Sequence, residues 1–310
     1  MKYWFAHILS GLVLDQNLKV LEEVNFSSLK DYSEASIIES KLQKKYSDLQ
    51  PLPLDKVSKV LEHFKDKNLF LELYLRNTQI TKQKVKSSVS EDGLIIQAIA
   101  NIKELDQVNN QLVKRLREWY SLYFPELSAK FEFHEKFVQL VLTETKEELL
   151  QELNVKETMG AELNAFHVEE IMLLARQIDQ LYQLRFKHEE YLREVMETHC
   201  PNILELAGVT IGAKLVELGK GLKHLAMLPA STIQLLGAEK ALFRHLKTGS
   251  RSPKFGVIFA HQLIQKAKAK ERGKVSRSLA DKLSLCARLD YFHGEFKAPQ
   301  FKKELEEKFK

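Results

Sequence analysis

Ten histidines and two cysteines, Cys200 and Cys286, are the residues of this 310-residue chain whose types could support metal or nucleophilic chemistry. A zinc-binding helix needs imidazoles one turn apart, as in His-Glu-x-x-His. His188-Glu189 has no second histidine at that spacing, and His199-Cys200 are adjacent rather than spaced. Gly219-Lys220-Gly221 lacks the spacing of a phosphate-cradling loop, and no Gly-x-Gly-x-x-Gly follows a strand-like run. No set of nucleophile, base and orienting acid stands in one motif. The chain is therefore expected to bear neither metal nor cofactor.

Its positive charge is organised instead. The overall balance of +5 divides unevenly: residues 201–310 hold 21 Lys and Arg against 10 Asp and Glu, a surplus of 11. Residues 1–200 keep 26 against 32, a deficit of 6. Such a basic segment attracts polyanions, nucleic acid above all, because each neutralised phosphate releases condensed counterions. A merely solvated basic surface is the alternative.

The basic side chains gather in motifs at 237–245, 253–261 and 272–282. In the third, Lys274, Arg277, Asp281 and Lys282 fall on or near one helix face, Val275, Leu279, Leu283 and Ala287 on the apolar one, and Arg288 extends the basic side. His261 follows a β-like run at 257–259, and an RNA contact and an ordinary half-buried imidazole are equally open to it. Pro229-Ala230-Ser231 reads as a helix start with Ser231 as the cap, and a helix N-terminus can hold phosphate.

These motifs need elements to carry them. Residues 1–85 alternate strand-like and helical runs: 3–9 and 18–24 are expected to pair across Asp15-Gln16-Asn17, a helix capped by Asp55 is expected over 55–65, and 69–75 reads as a buried strand. From Asp92 the apolar positions recur every three or four residues until Pro125. A second helix is expected over 133–153 and a third over 161–198, spanning roughly 30 and 55 Å at 1.5 Å per residue. Paired as an antiparallel coiled coil, they would form an arm with its reversal near Met159-Gly160. Tyr182, Phe186, Leu192 and Val195 would be left to face another copy of the chain. A compact helical region follows Pro201, where Gly208, Gly212, Gly219 and Gly221 suggest turns or close helix contacts. The fold expected is mainly α, with a small N-terminal α/β domain (1–85), a helical region with a coiled-coil arm (86–200) and an all-helical C-terminal domain (201–310).

No run approaches the roughly 18–20 apolar residues of a membrane span, and the first residues lack a secretory h-region, so a cytoplasmic protein is expected. Two thiols suggest a reducing compartment.

The run Leu-Pro-Ala-Ser-Thr-Ile-Gln-Leu-Leu-Gly-Ala-Glu-Lys-Ala-Leu-Phe-Arg-His-Leu at 228–246, the motifs at 253–261 and 272–282, and Ala-Arg-Leu-Asp-Tyr-Phe at 287–292 resemble the Nop domain. The stretches 95–99, 115–120 and 124–127 are similar to the segment preceding the coiled coil of that family, and Thr158-Met159-Gly160 to its hairpin turn. The short length and the absence of a charged tail look like the archaeal member, the scaffold of box C/D small ribonucleoproteins. Gly212-Ala213-Lys214 and Gly219-Lys220-Gly221 depart from the pattern by carrying more lysine.

The resemblance implies a non-catalytic scaffold for guide-directed RNA 2′-O-methylation. Its N-terminal module would bind fibrillarin, the S-adenosylmethionine-dependent methyltransferase, through exposed apolar residues for which Trp4 and Phe26 are candidates, although core packing explains both equally well. The coiled coil would self-associate, and the Nop domain would bind box C/D guide RNA together with a ribosomal-type kink-turn protein. RNA contacts would fall on Lys240, Arg244, Lys254, His261, Lys274, Arg277, Lys282 and Arg288. Gln234 and Glu239 would serve the joint protein and RNA surface or local hydrogen bonding. The alternatives are a splicing-type Nop protein, an RNA-modifying enzyme in its own right, and a structural coiled-coil dimer; the last leaves the basic surplus without purpose.

Overall fold

Every residue of Ser10-Gly11-Leu12-Val13-Leu14 is buried, because this run is an inner strand of a sheet covered on both faces. In the computed structural model, which describes residues 1–64 and 67–309, strands β1 (Lys2–Ala6), β2 (Ser10–Leu14), β3 (Val20–Asn25) and β4 (Leu49–Pro51) lie in the order β3-β2-β1-β4. β2 runs antiparallel to β1 and β3, and β4 joins β1 in parallel. The pairing expected of residues 3–9 with 18–24 is corrected. The Asp15 turn joins β2 to β3, its Oδ1 accepting from the Asn17 and Lys19 amides at 2.8 Å, and β2 intervenes. A strand buried on both faces shows no period-two alternation, so it escaped the pattern.

One face of the sheet packs Tyr3, Leu12 and Leu14 against Val60 and Phe64. The other packs Trp4 and Val13 against Leu42 and Leu49. Helices α2 (Ala35–Lys45) and α3 (Val57–Leu61) and the 3₁₀ turn Glu62–Phe64 supply Leu42, Val60 and Phe64; α1 (Leu29–Ser33) precedes α2, and the 3₁₀ turn Leu54–Lys56 precedes α3. Asp55 lies within a 3₁₀ turn and caps nothing; Lys65, the expected end of that helix, and Lys310, the expected end of the basic region, lie outside the described residues. Of the two roles open to Trp4 and Phe26, an exposed docking surface or core packing, the structure has the second: they are 5% and 2% accessible and belong to the core. The expected strand at 69–75 is part of helix α4 (Lys67–Ser87). Leu69 and Leu73, one helical turn apart, pack on the sheet, while Phe70, Leu71, Tyr74 and Leu75 are exposed.

These elements form the compact unit Met1–Ser90; Glu91–Lys310 form a second, wholly helical in its described residues. Helices α5 (Glu91–Tyr120), α6 (Pro125–Lys130), α7 (His134–Thr143), α8 (Lys146–Glu152) and α9 (Ala165–His199) make its first part. α5 and α9 run antiparallel, joined by Asp92 with His199 (2.7 Å), Asp106 with Arg185 (2.7 Å) and Asn101 with His188 (3.1 Å).

The expected helix at 133–153 is not continuous, and α5 rather than that segment is the long partner of α9. The break has a local cause: Thr145 and Glu148 form a capping box that starts a new helix. α6, α7 and α8 close one end of the pair around Leu116, Phe124, Phe137 and Leu149. At the turn, Glu126 accepts from the Thr158 hydroxyl and the Met159 amide, each at 2.8 Å. A Cβ on Gly160 would stand 2.1 Å from the Tyr123 carbonyl oxygen, so glycine is required. Of the residues expected to face another copy, Leu192 and Val195 serve the chain's own core, Tyr182 packs on the α6–α8 cluster, and Phe186 remains 59% exposed.

The second part comprises α10 (Pro201–Ala207), α11 (Val209–Leu218), α12 (Leu222–Met227), α13 (Ala230–Leu235), α14 (Glu239–Thr248), a 3₁₀ turn (Val257–Ala260), α15 (Gln262–Lys266), α16 (Arg272–Tyr291) and α17 (Ala298–Lys308). The apolar side of α16, Val275, Leu279, Leu283 and Ala287, is at most 2% exposed at its centre. Asp290 near its end accepts from the Asn202 backbone N–H (3.0 Å), the Asn202 side-chain amide (2.8 Å) and the Ile203 N–H (2.9 Å). Asn202 Oδ1 in turn accepts from the Lys297 and Ala298 amides at 2.8 and 3.0 Å. This buried node satisfies the start of α10 from α16 and the start of α17 from α10.

Candidate nucleic-acid interface

α14 has no buried residue. Its positions 240, 244 and 247 put Lys240, Arg244 and Lys247 on one exposed face, while Phe243 and Leu246 stand 61% and 69% exposed on another. Gly249, at φ 68°, closes the helix in the left-handed conformation and donates to the His245 carbonyl. At its start Glu239 Oε1 accepts from the Gly237 N–H at 2.7 Å. Ser231, the expected cap of the preceding helix, is not its cap: α13 begins at Ala230 with Pro229 before it.

The loop after α14 carries Lys254, which is exposed. Gln234 Nε2 donates to the Lys254 carbonyl at 2.6 Å, and the Gln234 carbonyl accepts from Gly256 N–H at 2.8 Å. Gln234 and Glu239 thus make the local hydrogen bonds that were one of their two expected roles. The Lys254 side chain passes over the first turn of α16: its Cδ lies 3.7 Å from where a Cβ on Gly273 would stand. α16 then presents Lys274, Arg277, Asp281 and Arg288 along one exposed stripe, with α13 packed beneath it. Lys240, Arg244, Lys254, Lys274 and Arg277, drawn from three separate motifs, are all exposed on segments tied to one another.

Two of the residues expected to contact RNA already have partners within the chain. His261 has neither ring nitrogen free: Nδ1 accepts from the Leu263 N–H at 3.2 Å, capping α15, and Nε2 donates to the Leu206 carbonyl at 2.9 Å. Burial pushes its pKa below the ordinary imidazole value, against the bond to Leu206, so it is a neutral structural residue. The run at 257–259 that suggested a strand before it is a 3₁₀ turn. Lys282 is turned toward α17, where its ammonium pairs with Glu304 and lies 4.5 Å from the centre of the Phe301 ring. Arg288 is exposed with Nε donating to the Ala226 carbonyl at 3.2 Å.

Exposed cations outside the expected set include Lys247, Arg251, Lys266, Lys268 and Lys270. The Lys266-Ala-Lys-Ala-Lys run was visible in the sequence as alternating charge. Arg272, at its end, is spent on the fold: Nε donates to the Ala267 carbonyl at 3.1 Å and the guanidinium lies 5.7 Å from the Phe259 ring centre.

Among the described residues no group of three or more His, Cys, Asp and Glu could hold a metal ion. Cys200 and Cys286 are buried, and burial raises both thiols, Cys286 to about 12, far from a reactive thiolate. The His199–Asp92 pair is structural, since the second Asp92 oxygen accepts from Leu222 N–H at the start of α12 (3.1 Å). No helix of the described residues is long and apolar enough to cross a membrane.

A family profile described as "Nop: snoRNA binding domain, fibrillarin" matches residues 101–310. An uncharacterized NOP5 family protein of Methanocaldococcus jannaschii is 41% identical over 81% of this chain and 65% of its own length. Nucleolar protein 56 of Schizosaccharomyces pombe is 37% identical over 68% of this chain and 47% of its own length. The chain thus spans about half to two thirds of these relatives. A solved fibrillarin/Nop5p complex superposes loosely, at a TM-score of 0.47 and 24% identity, over 99% of this chain and 100% of that one. Because the profile match covers most of the second unit and well over half of the sequence, the chain belongs to the Nop family.

Proposed function

We propose that this chain is the non-catalytic core scaffold of a box C/D ribonucleoprotein that guides RNA 2′-O-methylation. The observation that carries the reading is the convergence of Lys240, Arg244, Lys254, Lys274 and Arg277 on linked, exposed segments of a Nop-family helical body. Phosphate is met there by Arg forks and mobile Lys point charges, and a shaped RNA rather than a plain duplex suits a compact helical face. Phe243 and Leu246 beside the basic face give a protein partner an apolar anchor, which suits RNA presented together with a kink-turn protein. Arg288 serves the same RNA from the far end of α16.

On this reading residues 1–85 dock fibrillarin, 86–200 self-associate through the helical pair, and 201–310 bind guide RNA and the kink-turn protein. S-adenosylmethionine binds fibrillarin, methyl transfer occurs there, and the assembly works in the cytoplasm of an archaeal cell. The test is a gel shift of a box C/D kink-turn RNA with this chain, with and without the kink-turn protein. Binding that needs that protein and is lost in Lys240→Ala/Arg244→Ala is the expected result. Equal binding of any RNA without it would reduce the surface to a general polyanion site, and no binding at all would overturn the reading.

A further inference from the structure

We propose that Gln234 is a positioning residue for RNA binding: by gripping the Lys254 loop it sets where Lys254 meets phosphate. The inference rests on the RNA-scaffold reading and adds to it a residue that does not itself touch RNA.

Gln234 holds the loop on both sides of Phe255. Its side-chain amide donates to the Lys254 carbonyl at 2.6 Å, and its backbone carbonyl accepts from Gly256 at 2.8 Å. Two residues on, the Leu236 carbonyl accepts from Val257 N–H, also at 2.8 Å. The crossing is too close for a side chain, because a Cβ on Gly256 would stand 1.9 Å from the Leu236 oxygen. Gly237, at φ +86°, leaves 2.6 Å between its own Cβ position and Val257 Cγ1, and its N–H is the one Glu239 accepts at the start of α14.

The end of α13, the Lys254 loop and the first turn of α14 are therefore locked at one crossing. Phe255 and Phe259, stacked at 4.5 Å, anchor the loop to the core from its other side. Backbone bonds and glycines fix the crossing whatever residue stands at 234. Among the described residues only the Gln234 side chain reaches beyond Phe255 to the Lys254 peptide. A lysine on an irregular loop would otherwise have to be ordered when RNA binds, and preorganisation removes that cost.

The experiment measures affinity of the full chain, with the kink-turn protein, for a box C/D kink-turn RNA across a salt series. Wild type is compared with Gln234→Met, Lys254→Ala, the double variant and Arg288→Ala. Lys254→Ala should weaken binding roughly tenfold and lower the slope of log K against log salt by about 1. Gln234→Met, which keeps length and removes the donor, should do most of the same, and the double variant should be no weaker than Lys254→Ala. With Arg288→Ala its effect should simply add. A thermal melt of each variant, and Gln234→Glu as a second isostere lacking the donor, separate lost positioning from lost folding. Wild-type affinity and slope in Gln234→Met and Gln234→Glu, beside a weakened Lys254→Ala, would overturn the assignment alone, as would additivity of Gln234→Met with Lys254→Ala. Absence of binding by wild type would overturn the RNA reading and the assignment with it.

Discussion

Replacing Asp290 with alanine should loosen the whole basic half of the molecule without touching its surface. The carboxylate is 5% exposed and Asn202 2%, and three N–H donors converge on it: two from Asn202 and one from Ile203. No side chain of α10 caps its own start, so Asp290 does so from α16. In Asp290→Ala each donor loses its acceptor, at about 1–3 kcal/mol per buried orphan. Relief of the buried charge offsets part of this, leaving a net loss of about 3–5 kcal/mol, a large share of a typical total of 5–15 kcal/mol. At about 2–4 °C per kcal/mol for a unit of this size, calorimetry at neutral pH should show Tm lower by roughly 10 °C. A fall of less than about 2 °C would refute the reasoning, because the node would then not be what holds α10. The pH dependence sharpens the test. Burial holds the Asp290 carboxyl above its ordinary value even though the three donors pull it down, so the folded chain binds this proton more tightly than the unfolded one. Its contribution therefore falls as pH rises from the unfolded value near 3.9 through the raised folded one. The deficit of Asp290→Asn relative to wild type should accordingly shrink over that rise.

The Asp92–His199 bond raises the imidazole's pKa against its burial, and burial of Asp92 is outweighed by the bonds from His199 and Leu222, which lower it. Stability from this joint is thus complete between about pH 4 and 6.5, the unfolded values, and is lost above through the folded imidazole value and below through the folded carboxyl value; Tm measured from pH 6 to 8 should decline less in His199→Gln than in wild type. Neither cysteine should react with a thiol-specific chromogenic reagent in the native protein, and both should react in denaturant; prompt native labelling would show that the helices around them open. Lys282→Ala should bind RNA as wild type does, whereas Arg277→Ala should weaken it and reduce the salt slope by about 1; equal losses would mean that Lys282 leaves Glu304 when RNA binds. Thr145→Ala should cost about 1 kcal/mol through loss of the α8 cap, read as a lower urea midpoint.

How far the surface could be read from the sequence depended on whether a side chain had competing partners nearby. Lys240, Arg244, Lys274 and Arg277 recur at helical spacing opposite apolar residues, and that pattern alone puts them in solvent. Lys282 and His261 look the same in one dimension. What engages them within the chain is Glu304, Phe301 and Leu206, which are distant in sequence and become neighbours only when α17 and α10 pack. For Gln234 the sequence leaves a joint surface and local hydrogen bonding both open, and its partner, the Lys254 carbonyl, is a backbone group that no residue pattern marks.

Helical character from Glu91 onward, the turn at Met159-Gly160 and the basic surplus after Pro201 follow from local composition and period, because amphipathic spacing and charge density are properties of the chain itself, while the family follows from the resemblance of its motifs. Tertiary structure alone decided that α5 is the long partner of α9, that β2 lies between β1 and β3, and that Asp290 caps a helix 87 residues away in sequence at Ile203. Each is a choice among several apolar faces or buried donors that could have been satisfied otherwise, and only the simultaneous closing of every face and every hydrogen bond selects one.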